Sequence, residues 1–307
     1  MTIALCTWNR AELLRNALGS FTRLIVPNGL QWEVVVVDNN STDQTRQVTA
    51  EFSASLPIRY VFEPEQGLSR ARNRAIREAR GALVLFTDDD VVVDPRWLAE
   101  YATEVDRHPE AAFFGGTIDV SFTAKPPRWL TDNLDAFAGA FAIRRLGHSS
   151  RRIRGREDLP YGANMAFRRR VLHDGSFATD LGRMGADLLS GEETELMERL
   201  LAQGEHGIWI GSARVEHVIA RDRLTKSYIY DYFFWHGRAR ARQDERIAGS
   251  ETARRLKKKI ARQRRSLRFS IIKNAGWAKN LTALAILEGQ LAELSCSEAR
   301  GAGAMTE

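Results

Sequence analysis

The sequence predicts an α/β protein, a doubly wound and mostly parallel mixed sheet followed by an α-helical C-terminal tail. Three observations carry this prediction. Over the first 120 residues, short apolar runs alternate with segments of helical period. Runs such as EVVVVD (33–38) and ALVLFT (82–87) are nearly continuous, as in strands buried on both faces of a parallel sheet. After residue 237, a block of Arg and Lys gives way to leucines at helical spacing.

The strands read as Thr2–Thr7, Trp32–Asp38, Ile58–Phe62, Ala82–Thr87 and Ala111–Ile118. The helices between them read as Arg10–Arg23, Thr42–Ser53, Ser69–Arg80 and Pro95–Arg107, joined by right-handed crossovers. Asp94 before Pro95 reads as an N-cap with proline at the first helical position. That leaves TDDD (87–90) in a loop at the carboxyl end of its strand, where open α/β sheets bind ligands. Further on, a short strand follows LPYGAN, and an amphipathic helix opens on Glu192 and Glu193 with Leu196, Leu200 and Leu201 inward. A second short strand ends at His217, and an aromatic-rich helix holds His236 as packing.

With 307 residues and 44% hydrophobic content, the chain can bury a sizeable core. Cys6 and Cys296 stand at opposite ends without metal-ligand spacing, so we expect a reducing, cytoplasmic setting without a disulfide framework. The opening MTIALCTWNR reads as a strand and not as a signal-peptide core. No segment reaches the roughly 20 apolar residues of a membrane span. The net charge is +6, but between Arg238 and Arg268 thirteen basic residues face three acidic ones, which is +10 and leaves −4 elsewhere. The basicity belongs to the tail, and a nucleic-acid partner is not expected. Trp277, Leu281, Leu284, Leu287, Leu291 and Leu294 then form one apolar stripe, suited to core or dimer packing and leaving the oligomeric state open. A basic segment followed by an amphipathic helix also suits an anionic membrane surface, with the protein peripheral on it.

Asp88, Asp89 and Asp90 place three carboxylates behind a buried strand, where like charges raise one another's pKa unless a cation separates them. TWNR, DNNSTDQT and EPEQGLSRARN end other strands, and each precedes a helix whose N-terminal amides favour anions. Helix capping accounts for Thr42 but not for Asp38 with Asn39 and Asn40, nor for polar clusters at four strand ends. Together they read as a nucleotide pocket. TWNRAELLRN contains no glycine and the chain has no P-loop. A diphosphate would then be neutralised by Mg²⁺ or Mn²⁺ held on the aspartates.

CTWNR, VVVVDNNSTDQT, GLSRARN and FTDDDVVVDPRWL, in this order, resemble the motifs of the family 2 glycosyltransferases with the GT-A fold, over Ile3 to about Gly237. The resemblance implies a nucleotide-sugar-binding half at 1–120, an acceptor-binding and catalytic half at 121–237 and a basic helical tail at 238–307. It implies that Thr7, Asn9, Arg10, Asn40 and Asp43 line the nucleotide site and that Asp38 contacts base or ribose. Arg70 and Arg72 reach phosphate or base, Asp88 and Asp89 lie on the ribose or diphosphate, and Asp90, with Asp88 and His217, holds the metal. Tyr161, Asn164 and Trp129 meet the acceptor. The family's ED pair stands here as Glu192–Glu193, with Glu193 preferred as general base. The implied reaction is an inverting, metal-dependent transfer from a nucleoside-diphosphate sugar to an acceptor hydroxyl, on a glycan or lipid-linked intermediate of the cell envelope. It is non-processive, because QxxRW and membrane spans are missing. The alternatives are a sugar-nucleotide-forming nucleotidyltransferase, whose glycine-rich loop is lacking, and a non-catalytic carbohydrate-binding protein.

Overall fold

The computed structural model describes residues 1–185, 187–243, 250–272 and 276–303. Two compact units emerge, and their limits differ from the expected boundaries at 120 and 237. The first comprises Met1–Thr123, Phe141–Gly185 and Glu192–Ile219, and the second Ala124–Ala140, Ala186–Gly191 and Ala220–Glu307.

In chain order the first unit runs β1 (Thr2–Thr7), α1 (Ala11–Phe21), β2 (Glu33–Asp38), α2 (Thr45–Glu51), β3 (Ile58–Phe62), α3 (Leu68–Glu78), β4 (Leu83–Asp88), β5 (Val91–Val93), α4 (Trp97–Arg107) and β6 (Phe113–Phe122). A short α5 (Arg128–Thr131) belongs to the second unit; β7 (Arg151–Arg152), β8 (Met165–Arg168), α6 (Glu192–Ala202) and β9 (Gly207–Ile219) complete the first. Among the described residues nine strands form one sheet in the order β3-β2-β1-β4-β8-β6-β9-β5, with β7 attached to β9. β3, β2, β1 and β4 are mutually parallel, whereas β8 runs antiparallel between β4 and β6.

Successive residues of the central strands enter opposite layers, which is why those strands show no polar alternation. Ile3, Leu5, Val34, Val36 and Leu85 pack with Leu14 and Leu18 of α1 and with Trp97 and Tyr101 of α4. Ala4, Val35, Val37, Val84 and Phe86 pack with Ile76 of α3, Phe177, and Leu196, Met197 and Leu200 of α6.

Several local expectations are corrected. α4 opens at Trp97, because Asp94 closes a turn by accepting from Arg96 N (2.8 Å) instead of capping the helix. α2 begins at Thr45: Asp43 accepts from Thr45 N (3.0 Å) through one oxygen and from Ala11 N (2.9 Å) through the other, bracing the heads of two helices. Asp88 still belongs to β4, and Val91–Val93 forms a strand antiparallel to β9. β9 is long, not short, because it pairs along β6 to Phe122, past the expected end at Ile118.

Asn164, expected at the acceptor, is a keystone of the core. It is 0% exposed. Its Oδ1 accepts from Trp97 Nε1 and Tyr101 OH (2.8 Å each), and its Nδ2 donates to the carbonyls of Thr117 (3.0 Å) and Ala213 (2.9 Å). The amide is fully used in joining α4, β6 and β9, and has no group left for an acceptor.

The second unit contains α7 (Lys226–Gln243), α8 (Ser250–Ile272) and α9 (Trp277–Gly303). α7 and α9 touch backbone to backbone: a Cβ on Gly237 would lie 2.1 Å from Ile286 O, and one on Gly289 would lie 1.9 Å from Phe234 O. Arg238 and Arg242 clamp the same crossing through Glu293 (2.7 and 2.8 Å). Leu284 and Leu294 of the apolar stripe are buried here, and Leu281, Leu287 and Leu291 are half-buried. Trp129, expected to stack on a sugar, packs instead against Phe137 and Trp277 (6.0 and 6.1 Å between centroids), with Lys226 Nζ over its ring (5.7 Å). His236 stacks on Tyr232 (6.4 Å). Among the described residues no helix is long and apolar enough to cross a membrane.

Asn164→Leu is expected to lower the unfolding free energy by about 4 kcal/mol, since four buried groups lose their partner at about 1 kcal/mol or more each. Urea unfolding followed by tryptophan fluorescence measures it; a loss under about 1 kcal/mol would deny the keystone role.

Candidate active site

The parallel register brings strand ends to one edge, with Thr7 of β1 beside Asp38 of β2 and Cys6 beside Asp88 of β4. The three adjacent aspartates divide there by exposure: the Asp88 side chain is 36% exposed, those of Asp89 and Asp90 only 5%. Asp89 accepts from Thr7 Oγ1 (2.8 Å) and from Arg10 Nη1 (3.0 Å), and the same Arg10 nitrogen reaches Asp90 (3.2 Å). Part of the positive charge that the sequence calls for is therefore carried by the chain itself. Burial pushes the Asp89 carboxyl up to about 6; Arg10 pulls it down, and the neighbouring Asp90 raises it further. Asp89 in turn holds the Arg10 guanidinium more firmly protonated than usual.

Asp90 Oδ1 lies 3.3 Å from His217 Nε2. β5 and β9 deliver this contact, pairing Val91 with His217 while Val218 N donates to the Asp90 carbonyl (2.8 Å). His217 Nδ1 is 2.7 Å from the Phe141 carbonyl oxygen. A carbonyl only accepts, so Nδ1 carries the proton and the ring is fixed with Nε2 toward Asp90.

A second cluster adjoins the first through Arg72 of α3. Its side chain is 4% exposed, with Nη1 2.6 Å from Glu192 Oε1 and Nη2 3.6 Å from Asp88 Oδ1. Gly162 leaves room for it: a Cβ there would stand 2.3 Å from Nη2. Glu192 begins α6 and is buried, whereas Glu193 is half-exposed. Burial, reinforced by the Glu193 charge, pushes the Glu192 carboxyl up to about 8; Arg72 opposes this without offsetting it. One oxygen of each glutamate, Oε2, is buried without a hydrogen-bond partner among the described residues. Buried polar atoms are seldom left so.

The remaining candidates divide. Asp38 accepts from Tyr60 OH (2.7 Å) and Ser41 N (2.9 Å), and burial together with this bond pushes the Tyr60 hydroxyl up to about 12. Asn9 (φ 52°) and Asn40 (φ 66°) occupy the left-handed region that asparagine tolerates best among side-chain-bearing residues. Asn9 accepts from Thr42 N (2.7 Å) and staples the first loop to the second, while Asn40 is exposed. Arg70 does not join Arg72; it pairs with Glu65 at the surface. Tyr161 is half-buried under the Arg144 guanidinium (5.0 Å) and immediately precedes Gly162. Tyr60, Gly162 and the Phe141 carbonyl escape the sequence reading. Only Gly162, inside the polar YGAN, carried a local signal.

Among the described residues no group of three or more His, Cys, Asp or Glu side chains converges to hold a metal ion. Asp90 and His217 present two donors, and Asp88 turns to Arg72. Two protein donors suit an ion that completes its shell with phosphate oxygens and water, so the residues fit a divalent cation that binds together with a diphosphate.

A family model described as Glycosyl transferase family 2 matches residues 2–175. The chain is 26% identical over 206 residues to glucosyl-dolichyl phosphate glucuronosyltransferase of Haloferax volcanii, covering 66% of this chain and 64% of that protein, just under two thirds of its length. It is 26% identical over 246 residues to the succinoglycan biosynthesis protein ExoM of Rhizobium meliloti, covering 78% and 74%. The fold is shared with the solved mannosyltransferase PcManGT of Pyrobaculum calidifontis in complex with GDP-Man and Mn²⁺, at a TM-score of 0.55 and 20% identity over 99% of this chain and 75% of that one.

Glu192 also leaves a signature in stability. Its folded pKa of about 8 lies above the ordinary 4.5, so its contribution is full below pH 4.5 and is lost as pH rises to about 8. Glu192→Gln should therefore gain stability relative to the parent on going from below 4.5 to above 8, as read from urea midpoints across pH. Parallel curves would show that Glu192 titrates as an ordinary glutamate.

Proposed function

The chain belongs to glycosyl transferase family 2, and we propose that it moves one sugar per encounter from a nucleoside-diphosphate sugar to an acceptor hydroxyl, with inversion at the anomeric carbon. The observation that carries this reading is the junction at Arg72: one buried guanidinium links Asp88, on the diphosphate side, to Glu192 beside the orphaned oxygen of Glu193. It sets a candidate base next to a candidate donor site.

In this reading Thr7, Arg10 and Asp38 shape the nucleotide site, with Asn9 and Asp43 bracing the loops around it. Asp90 Oδ1 and His217 Nε2 would hold Mg²⁺ or Mn²⁺, whose charge, when bound, offsets that of the leaving diphosphate. Glu193 Oε2 accepts the acceptor hydroxyl proton as that oxygen attacks. Glu192, anchored on Arg72 and retaining its own proton to higher pH, fixes the position of its neighbour. A single displacement of this kind needs no second carboxylate as nucleophile. Tyr161, next to Gly162 at the Arg72 seat, is the acceptor-side residue that remains.

The relatives' names, a glucosyl-dolichyl phosphate glucuronosyltransferase and a succinoglycan biosynthesis protein, support a glycan or lipid-linked acceptor of the cell envelope. With such an acceptor, and with a basic tail, the enzyme would work at a membrane face as a peripheral protein.

Calorimetric titration with UDP, dTDP and GDP, with and without Mn²⁺, tests the donor site. Wild type should bind one of them in a metal-dependent manner, and Asp90→Ala should lose that dependence. Glu193→Gln should keep donor binding while kcat falls about 10³-fold. Metal-independent binding in the wild type would sink the cation assignment, and full turnover by Glu193→Gln would move the base elsewhere.

A further inference from the structure

α8 has two stripes of opposite character. Leu256, Ile260, Gln263, Leu267 and Ser270 recur at helical spacing and form its inward stripe, with Leu256, Ile260 and Ser270 each 6% exposed. Half a turn away, Arg254, Lys258, Arg265, Phe269 and Ile272 follow one another at intervals of three, four or seven and point outward, all exposed. Ile272 is 82% exposed, the highest value among the large hydrophobic residues described, and Phe269 and Ile271 are 60% and 58% exposed. Nine Arg and Lys residues lie between Arg254 and Arg268, with no Asp or Glu from Thr252 to Gly276. Glu288 of α9 pairs with Arg264 on the flank of the helix (2.6 Å), not on the outward stripe.

A purely solvated face explains the cations but not three exposed large apolar residues at the end of the same helix. A nucleic-acid backbone would also take the cations, but it offers little to Phe269, Ile271 and Ile272. A bilayer surface with anionic headgroups matches both, with phosphates for the charges and an apolar boundary within reach of the rings and methyl groups. We infer that the outward face of α8 is a docking surface for an anionic phospholipid bilayer, Arg254, Lys258 and Arg265 lying on headgroup phosphates and Phe269, Ile271 and Ile272 entering the interface. The surface gives the membrane-facing part of the proposed function a physical location, and its contact with lipid does not depend on the transferase chemistry.

Co-sedimentation of the full chain with vesicles tests it, using phosphatidylcholine alone and phosphatidylcholine mixed with phosphatidylglycerol. Wild type should pellet with the mixed vesicles only, and less so as salt is raised. The combined Arg254→Gln, Lys258→Gln and Arg265→Gln variant should bind about 100-fold more weakly, at about fivefold per cation. Phe269→Ser with Ile272→Ser should lose about tenfold or more. Because the changes are on an exposed face, both variants should keep wild-type circular dichroism and wild-type nucleotide binding. Failure of wild type to pellet with mixed vesicles, wild-type partitioning by either variant, or displacement from the vesicles by duplex DNA at equal phosphate would overturn the assignment. Vesicle binding is read without donor or acceptor, so a failure of the transferase reading would appear separately, as lost nucleotide binding with lipid binding intact.

Discussion

The constraint on which the first unit depends is the neutralisation of buried carboxylates by two arginines. Asp89 and Asp90 are taken out of water at the tip of β4, and Glu192 at the head of α6. Burying a lone carboxylate costs several kcal/mol, and removing its partner is strongly destabilising. Arg10 lies between Asp89 and Asp90, and Arg72 between Asp88 and Glu192. Two guanidinium groups thus serve four carboxyl groups, and Glu193 follows Glu192 at the head of α6. Burial raises Asp89 and Glu192 above ordinary carboxylates, and the charges of Asp90 and Glu193 add to it.

Holding those arginines in place accounts for much of the surrounding architecture. Arg72 reaches its partners only if α3 is docked, and α3 is tied by Ser69 to the Leu181 carbonyl (2.8 Å) and by Asn73 to Phe177 on both its amide nitrogen and oxygen (2.8 and 3.0 Å). Gly162 supplies the space beside the guanidinium, and two residues later Asn164 bonds α4 to β6 and β9. With β9 fixed in this way, its pairing with β5 sets His217 against Asp90. The packing core and the charged edge are thus parts of one arrangement, and Asn164 serves the site by stabilising the sheet, not by touching a substrate.

The second unit rests on different forces. Gly237 and Gly289 let two helix backbones meet, and Glu293 neutralises Arg238 and Arg242 at the crossing. The cations of α8 are mostly left outward, and no Asp or Glu occurs between Thr252 and Gly276. Charge is therefore segregated along the chain: negative around the sheet edge and positive on one helix of the tail.

Much of this was legible in the sequence. Uninterrupted apolar runs fix strands buried on both faces, and a run of aspartates behind one of them marks the ligand edge, because these are local properties of composition and order. Glu192 and Glu193 at a helix start and the basic block of the tail were readable for the same reason. Partnership was not. Asp88, Asp89 and Asp90 are adjacent in sequence yet face Arg72, Arg10 and His217 in turn, since each successive side chain leaves a twisting strand end in a new direction. Asn164 and Trp129 are polar and aromatic residues of the kind that meet sugars, and only packing decided that both are spent internally. Side-chain type and period are written residue by residue, whereas which buried group neutralises which depends on distances between segments scores of residues apart, and those exist only once the chain has closed.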